Sequence, residues 1–394
     1  LFDGSYGRDV LADAVRRLGE AYPHVDVGQE FAQDLGRRVP EELAGDAPPD
    51  LIQYSGGGTE NIKSLGGKGM LRDLGPLLDA PAIDSPGKKV RDLLLPGVAD
   101  AGRSREGGPV HSLNYVLTVY GFWYSRTALR GLGKSYPRTF KELIAICEAA
   151  ERRGMAGLVF PGKYPYYLWF TVAASVAKRG GKRVLDALVA NEPGAWRARA
   201  VLDVFEAYAE LGRRGHVLKE SAEYDHIAAQ KQWTEGKALL IPNGSWLETE
   251  SEPPEGFDPA VGPPPGVSGD DRLPFGTLAV NFGEPFVVPD RAKNPEAAME
   301  LLRIMLGPAS AERFAVRRNA LPAVRGAGAW QGLKPGAESA IAAYEGAKGN
   351  AFHWNGFAAG GLQRESGEAL GEVLLGRATP DEAVDRVQRA ADRL

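Results

Sequence analysis

Residues 51–59 read LIQYSGGGT, a short apolar run that ends in a serine and three glycines. An apolar run of this length is typical of a buried parallel strand, and a glycine-rich turn after it leads into a helix. In open α/β sheets this arrangement places backbone amides at the carboxyl edge of the sheet, where ligands bind. The stretch predicts an α/β fold with a binding loop that includes Ser55 and Gly56.

Helices and strands alternate on both sides of this stretch. Apolar residues at helical spacing predict a helix over 8–22, and Val25–Val27 is a second short apolar run of the strand type. Further strands are predicted at 110–115, 119–124, 158–160, 238–241 and 286–288. Because 394 residues exceed the size of one typical domain, the sequence predicts an α/β protein with two lobes.

Local signals mark two helix starts and one buried helix face. Thr139 is followed three residues later by Glu142, which is a capping box, and residues 379–382 read TPDE, which places an N-cap, a proline and a glutamate in order. Cys147 falls on the apolar stripe of the helix that begins after Thr139. This spacing predicts a small core residue and not a nucleophile.

Composition excludes several classes of function. Lys plus Arg number 47 and Asp plus Glu 51, so the formal charge is −4, and a nucleic-acid binder would need a basic face. One cysteine allows no internal disulfide and no multi-cysteine zinc site, and the five histidines form no HExxH motif. The longest apolar stretches fall short of the roughly 20 residues of a membrane helix. We therefore expect no metal and no cofactor.

Signatures of catalysis are also missing from the sequence. The chain has no GxSxG motif, and residues 131–135, GLGKS, lack the first glycine of a phosphate-binding loop. The carboxylates Glu248 and Glu250 are expected on a solvated segment, where acidic residues usually lie. We expect no enzymatic activity.

Aromatic residues lie at the predicted ends of strands. Tyr164 and Tyr166 follow the strand at 158–160, and Trp354 lies in a glycine-rich region. Aromatic rings offer flat apolar faces to sugar rings, while amides and hydroxyls bind the sugar's hydroxyl groups. For Trp246 and Tyr164 a core position is an equal alternative. Three further aromatic residues are predicted to lie in the core: Trp196, Phe205 and Tyr208.

Trp246 is the most specific candidate. It follows the predicted strand 238–241, and residues 242–244, Pro-Asn-Gly, are expected to form a tight turn. Ser245 and Trp246 would then project from the rim of the sheet, and Asn243 would be free to bind hydroxyl groups.

The order of these features resembles the carbohydrate-binding group of bacterial ABC-importer solute-binding proteins. The resemblance rests on residues 49–52 (PDLI), 71–77 (LRDLGPL), 120–125 (YGFWYS) and 137–143 (PRTFKEL). Within that group the chain looks most like the actinobacterial N-acetylglucosamine/diacetylchitobiose-binding proteins. The stretches that carry this similarity are 162–167 (GKYPYY), 192–196 (EPGAW) and 236–248 (GKALLIPNGSWLE).

The resemblance implies a type II periplasmic-binding-protein fold. One lobe would comprise 1–114 and 284–322, and the other 118–280 and 325–394, with a hinge near 113–117, 281–284 and 322–325. The implied ligand is a short carbohydrate in an interlobe cleft, and the implied partner of the monomer is an ABC permease. The chain opens without methionine, as a processed or trimmed chain does, and the resemblance implies an exported protein that is lipid-anchored through an upstream segment.

Together, the aromatic pattern and the resemblance give a predicted set of ligand-binding residues. The set is Tyr6, Ser55, Gly56, Asn114, Tyr115, Tyr164, Tyr166, Asp225, His226, Gln230, Asn243, Ser245, Trp246, Glu284, Trp354 and Asn355.

Two alternatives stay open at this point. A glycoside-active enzyme would carry similar aromatic residues, but it would also need two carboxylates about 5–5.5 Å or 6.5–9.5 Å apart. The protein could instead be a receptor for a different oligosaccharide or for a non-sugar solute such as a peptide or a polyamine. A polyamine site would need several acidic residues, of which Asp225 is the main candidate.

Overall fold

A computed structural model describes residues 1, 3, 8, 10–55, 62–105, 107–325, 332–354, 356 and 362–394. The chain divides into two compact units. Unit 1 comprises Leu1–Thr118 and Phe282–Leu333, and unit 2 comprises Val119–Asn281 and Lys334–Leu394. The chain therefore passes from one unit to the other three times, after Thr118, Asn281 and Leu333.

The helices of the described residues occur in both units. In chain order they are α1 Ala12–Ala21, α2 Leu35–Ala44, α3 Ile62–Gly67, α4 Gly75–Asp79, α5 Val90–Leu93, α6 Val98–Ala101, α7 Arg126–Gly131, α8 Phe140–Glu151, α9 Trp169–Gly180, α10 Lys182–Val189, α11 Arg199–Arg213, α12 His226–Thr234, α13 Leu247–Glu250, α14 Pro295–Met305, α15 Pro308–Arg318, α16 Pro335–Gly346, α17 Leu362–Leu374 and α18 Pro380–Ala391. None of these helices has the length and apolar character that crossing a membrane requires.

Strands pair within each unit. In chain order they are β1 Ile52–Gln53, β2 Leu113–Ser125, β3 Ala156–Leu158, β4 Ala238–Gly244, β5 Pro259–Gly262, β6 Leu278–Val287, β7 Leu321–Pro322 and β8 Ala351–His353. In unit 1, β1 runs antiparallel to the end of β6, and β7 runs antiparallel to the first part of β2. In unit 2, β4 and β5 run antiparallel to the second part of β2, whereas β3 is parallel to β4 and β8 is parallel to β6.

Three predictions about the strands were wrong. Val25–Val27 forms no strand, because two valines around the exposed Asp26 bury too little apolar area to hold an edge strand. The strand at Ile52–Gln53 is present, but its partner β6 is antiparallel. The two strands predicted at 110–115 and 119–124 are one strand, β2, since no turn-forming residue interrupts Val116–Thr118.

The core of unit 2 confirms the predictions for its helices. Cys147 is fully buried on α8, as its spacing predicts, and the three aromatic residues assigned to the core are buried as well: Trp196, Phe205 and Tyr208. The Tyr208 hydroxyl donates to Thr171 Oγ1 at 2.9 Å, which satisfies its polar end. Both predicted helix starts are confirmed, because Thr139 with Glu142 and Thr379 with Glu382 form capping boxes.

Candidate functional site

A cluster of five aromatic rings forms in unit 2, and we call it the aromatic cluster. Its members are Tyr120, Tyr166, Tyr167, Phe170 and Trp246. Strand β2 supplies the first, the turn before α9 supplies the two adjacent tyrosines, α9 supplies the phenylalanine, and the tryptophan follows β4. The cluster is therefore held by four separate elements of one unit.

Trp246 packs edge-on against the other rings. Its ring centroid lies 5.6 Å from that of Phe170, 5.8 Å from that of Tyr120 and 6.1 Å from that of Tyr167, with interplanar angles of 82–87°. Edge-to-face packing of this kind is the favoured geometry for aromatic pairs. The side chain is half-buried, so part of the indole stays accessible.

The tight turn predicted before Trp246 was wrong, because β4 continues through Gly244. Pro242 pairs with Phe122, and Asn243 pairs with Gly121. Val159 donates its backbone N–H to the Leu240 carbonyl, so Pro242, two residues on, faces the same edge of β4. Strand β3 ends beside Leu240, so a proline without an N–H is tolerated there.

Asn243 lies inside the strand and not on a rim. Its side chain is only 1% exposed, and its Oδ1 accepts the backbone N–H of Gly244 at 2.8 Å. Within the part of the chain that the structure describes, its Nδ2 has no hydrogen-bond partner. Asn243 also offers its carbonyl to Trp123 Nε1 at 3.2 Å, and Ser245 Oγ accepts the Val119 backbone N–H at 3.2 Å.

Tyr164 and His226 lie beside the aromatic cluster. Tyr164 is 41% exposed, and its ring lies 5.5 Å from that of His226 and 6.3 Å from that of Tyr166. Asp225 caps α12 by accepting the Ala228 backbone N–H at 2.8 Å. This cap fixes the start of the helix that presents His226.

Gln230 is a buried bridge on the same helix. Its Nε2 donates to Glu250 at 2.8 Å, and its Oε1 accepts a hydrogen bond from Ser251 at 2.9 Å. Gln230 therefore ties α12 to the end of α13.

Trp354 lies in the core of unit 2. It is 4% exposed, its ring stacks on Trp169 with centroids 5.9 Å apart, and its backbone N–H donates to the Val280 carbonyl. Its assignment to the ligand site stays a prediction.

A second group of predicted residues lies in unit 1. Ser55 Oγ and Gln53 Nε2 both donate to the same oxygen of Glu284, at 2.8 and 2.5 Å. Glu284 has a φ of 54°, a conformation that costs energy outside glycine and is common at functional sites. Burial raises the pKa of the Glu284 carboxyl, and the two hydrogen bonds lower it by less.

Asn114 and Tyr115 follow on β2 in unit 1. Asn114 Nδ2 donates to the Phe282 carbonyl at 2.6 Å, and its Oδ1 accepts from Ser112. Tyr115 is a core residue whose hydroxyl donates to the Met305 carbonyl at 3.2 Å. Three residues of the predicted set, Tyr6, Gly56 and Asn355, lie outside the described residues.

The structure adds residues that the sequence analysis did not single out for the site. Tyr120, Tyr167 and Phe170 join the aromatic cluster, and Gln53 joins Ser55 at Glu284. Tyr120 and Tyr167 belong to stretches that carried the family resemblance, so a signal for them was present. Phe170 lies in a helix with an ordinary core pattern, and only its contacts distinguish it.

The aromatic cluster is apolar, with neutral hydroxyl and amide groups around it and one carboxylate, that of Glu250, close enough to add to burial in raising the pKa of the Tyr166 and Tyr167 hydroxyls. Among the described residues, no group of three or more histidine, cysteine, aspartate or glutamate side chains could hold a metal ion. Burial raises the pKa of the Tyr167 and Tyr120 hydroxyls, so both stay protonated at neutral pH. Flat apolar faces flanked by neutral hydroxyls suit a polar, uncharged ligand with apolar faces of its own.

Comparisons with known proteins agree with the resemblance in the sequence. The chain is similar to the diacetylchitobiose binding protein NgcE of Streptomyces coelicolor, at 30% identity over 408 residues that cover 98% of this chain and 86% of that protein. Among solved structures, a chitin oligosaccharide binding protein has a TM-score of 0.71 at 20% identity, over 98% of this chain and 94% of the other. A probable secreted solute-binding lipoprotein from Streptomyces coelicolor has a TM-score of 0.80 at 18% identity, with the same coverage.

These structural similarities confirm the α/β solute-binding-protein fold. The family model described as bacterial extracellular solute-binding protein matches residues 8–312, which is most of the chain. The protein belongs to the bacterial extracellular solute-binding protein family.

Proposed function

We propose that the protein is an extracellular receptor for a short carbohydrate, N-acetylglucosamine or a chito-oligosaccharide, which it delivers to an ABC permease. The observation that carries this proposal is the aromatic cluster, in which a half-buried Trp246 is supported edge-on by three other rings. The similarity to a diacetylchitobiose-binding protein supports the choice of sugar.

The sugar would lay its C–H face on the accessible part of Trp246, and Tyr164 with His226 would line the rim. Neutral groups would bind its hydroxyl and acetamido groups, as Asn243 Nδ2 could after a small shift of the strand, since it has no partner within the described residues. We further propose that Ser55, Asn114 and Glu284 of unit 1 contact the sugar when bending near 113–117, 281–284 and 322–325 closes the receptor. Binding would then select the closed form, which a permease can recognise.

Receptors of this kind bind and release their ligand unchanged. We therefore propose that the protein has no catalytic activity, and we further propose that it is a monomer held at the cell surface by a lipid anchor. A dissociation constant of about 1 μM corresponds to roughly 8 kcal/mol of binding free energy. We propose that one aromatic platform and a set of hydrogen bonds supply this free energy.

Calorimetry with fragments of chitin, cellulose, maltose and xylan tests the proposal. We expect heat from diacetylchitobiose and little from the other sugars, with a stoichiometry of about one. The absence of heat from every sugar would contradict a carbohydrate receptor. If hydrolysis products accumulated during the titration, the glycoside-active enzyme would be the better description.

A further inference from the structure

Glu248 is a buried carboxylate close in sequence to the proposed sugar platform. The sequence placed it on a solvated segment, and that prediction was wrong, since its side chain is 3% exposed while Glu250 is exposed as predicted. A buried carboxylate is costly unless it is paired or fully hydrogen-bonded. The structure supplies the hydrogen bonds from the start of α16.

Both carboxylate oxygens of Glu248 accept backbone N–H groups from the first turn of α16. Gly336 donates to Oε1 and Ala337 donates to Oε2, each at 3.0 Å. These N–H groups have no partner inside the helix, and the helix dipole favours a negative charge at this end. Because each carboxylate oxygen has its own N–H donor, the two charge-assisted hydrogen bonds fix both the position and the orientation of the carboxylate.

The backbone of α16 leaves room for this carboxylate only because residue 336 is glycine. A Cβ at Gly336 would lie 2.7 Å from Glu248 Cδ and 2.8 Å from the ring of Trp123. Both distances are shorter than real Cβ contacts, so a side chain at this position would displace the carboxylate.

Helix α13, which carries Glu248, cannot hold its own conformation. It comprises Leu247–Glu250, a single turn, and one turn is too short to be stable without tertiary contacts. Trp246 caps this turn, and its carbonyl accepts the backbone N–H groups of Thr249 and Glu250. The position of the Trp246 backbone therefore depends on what anchors α13.

The ring of Trp246 lies directly over the strand that precedes it. A Cβ at Gly244 would meet the indole at 2.2 Å, so the ring covers the Gly244 backbone. The indole is thus placed from two sides, by Gly244 on β4 and by the anchored turn of α13.

We propose that Glu248 is a positioning residue for the binding site, which sets the orientation of Trp246 through its bonds to the start of α16. This inference rests on the proposed function, because Trp246 is the proposed platform for the sugar. Glu248 itself does not need to touch the ligand. Its carboxylate acts by keeping α13 in one place before the ligand arrives.

The test is ¹⁹F NMR of protein labelled with 5-fluorotryptophan, recorded without sugar and followed by calorimetry with diacetylchitobiose. The chain has seven tryptophans, and the signal missing from Trp246→Phe identifies Trp246. In Glu248→Gln an amide would face the N–H groups of α16. We expect the Trp246 signal to shift or broaden and the affinity to fall about tenfold or more. Glu248→Asp, which keeps the carboxylate, should partly restore the wild-type Trp246 signal and the affinity for diacetylchitobiose.

Gly336→Ala is the second variant, since its methyl group would crowd the carboxylate, and with it the Trp123 ring, without changing any charge. The control is Glu382→Gln on α18, where a carboxylate also caps a helix in unit 2 by accepting the Thr379 backbone N–H at 2.9 Å. We expect the control to lower the melting temperature while the Trp246 signal and the affinity stay unchanged.

The two proposals can fail separately. If the wild type bound no sugar, the proposed function would fail, and the Trp246 signal would still report on positioning. If that signal stayed in place in Glu248→Gln, or moved without loss of affinity in a protein that binds sugar, the positioning role would be overturned. If neither Glu248→Gln nor Gly336→Ala folded, Glu248 would be required for folding itself. That result would also overturn the positioning role.

Discussion

Tyr120 and Phe170 stack face to face, with ring centroids 4.2 Å apart and only 3° between their planes. The tyrosine belongs to β2 and the phenylalanine to α9, so the stack joins the sheet of unit 2 to a helix. Trp246 meets both rings with an edge-to-face geometry. This stack is the support on which the proposed sugar platform rests.

Replacement of Trp246 by alanine should weaken sugar binding much more than it weakens the fold. We expect a loss of roughly 2 kcal/mol or more in binding free energy, which is the scale of a buried aromatic contact. The free energy of unfolding should fall by less than the roughly 3–5 kcal/mol typical of emptying a core site, because the indole is only half-buried. Calorimetry and urea unfolding measure the two quantities.

Trp233→Ala is the matched control for that variant. Trp233 is fully buried on α12 and packs edge-on against Phe257. The Trp233→Ala variant should have a lower free energy of unfolding and an unchanged affinity for the sugar. A Trp246→Ala protein with intact affinity and a large loss of stability would make Trp246 structural, and Tyr164 would become the main candidate.

The carboxyl of Glu284 should make stability depend on pH in the acidic range. Burial raises the pKa of this group, so the folded protein binds a proton more tightly than the unfolded chain does. Its contribution to stability is present below the usual pKa of a glutamate and is lost as the pH rises through the raised value. Glu284→Gln should therefore gain stability relative to the wild type as the pH rises above the usual pKa of a glutamate. Urea unfolding at several pH values measures this difference, and an equal gain in Glu312→Gln, an exposed residue on α15, would argue against the assignment.

Lys178 should have the opposite effect at higher pH. This lysine on α9 is fully buried, its Nζ donates to the Pro264 carbonyl, and burial lowers its pKa to about 7. The unfolded chain then binds more protons between about pH 7 and the usual range of lysine, so stability rises with pH in that window. The slope from one such group is about 1.4 kcal/mol per pH unit.

Melting temperatures of Lys178→Met between pH 7 and pH 9 test this assignment. The melting temperature of the wild type should rise with pH over this range, and that of the variant should not. Lys141→Met, at an exposed position on α8, should keep the rise. Parallel pH profiles for Lys178→Met and the wild type would show that the buried amine stays charged.

The thiol of Cys147 should be inert in the folded protein. It is completely buried, and burial raises its pKa to about 12, so almost no thiolate exists at pH 8. A thiol-reactive disulfide reagent should label none of the native protein and one equivalent in concentrated guanidinium chloride. Rapid labelling under native conditions would mean that α8 opens locally.

Ligand should also change the size of the protein. If the units rotate on bending segments near 113–116 and 281–284, small-angle scattering should give a smaller radius of gyration with diacetylchitobiose than without it. The weakly binding Trp246→Ala variant is the control, at a sugar concentration that saturates only the wild type. A radius that stays the same in the wild type while calorimetry shows binding would contradict a closing receptor.

Local patterns in the sequence were sufficient for the helix starts and for the buried face around Cys147. The capping boxes at Thr139 and Thr379 depend on residues three positions apart, which any sequence displays directly. The family resemblance was likewise visible in short stretches, and the comparison with known proteins confirmed it.

Features that depend on distant partners were not predictable in this way. Glu248 reads as a surface residue because its partners, Gly336 and Ala337, lie 88 and 89 residues further along the chain. Pro242 reads as a turn residue, and it is tolerated in β4 only because β3 ends beside Leu240. In both cases the outcome depends on which backbone group from another element lies next to the residue. The spacing of residues within one stretch of sequence does not reveal that group.

The alternation of the chain between the two units has a consequence for its synthesis. The core of unit 2 needs Leu370 and Val387 from the last helices as well as Leu143 and Phe205 from the middle of the chain. Val287 likewise completes a core of unit 1 that begins with Leu35. A ribosome makes the chain from its first residue onward, so neither core can close until late in translation. Because the nascent chain stays unfolded until then, a secretion apparatus has time to bind it and export it before either unit has folded.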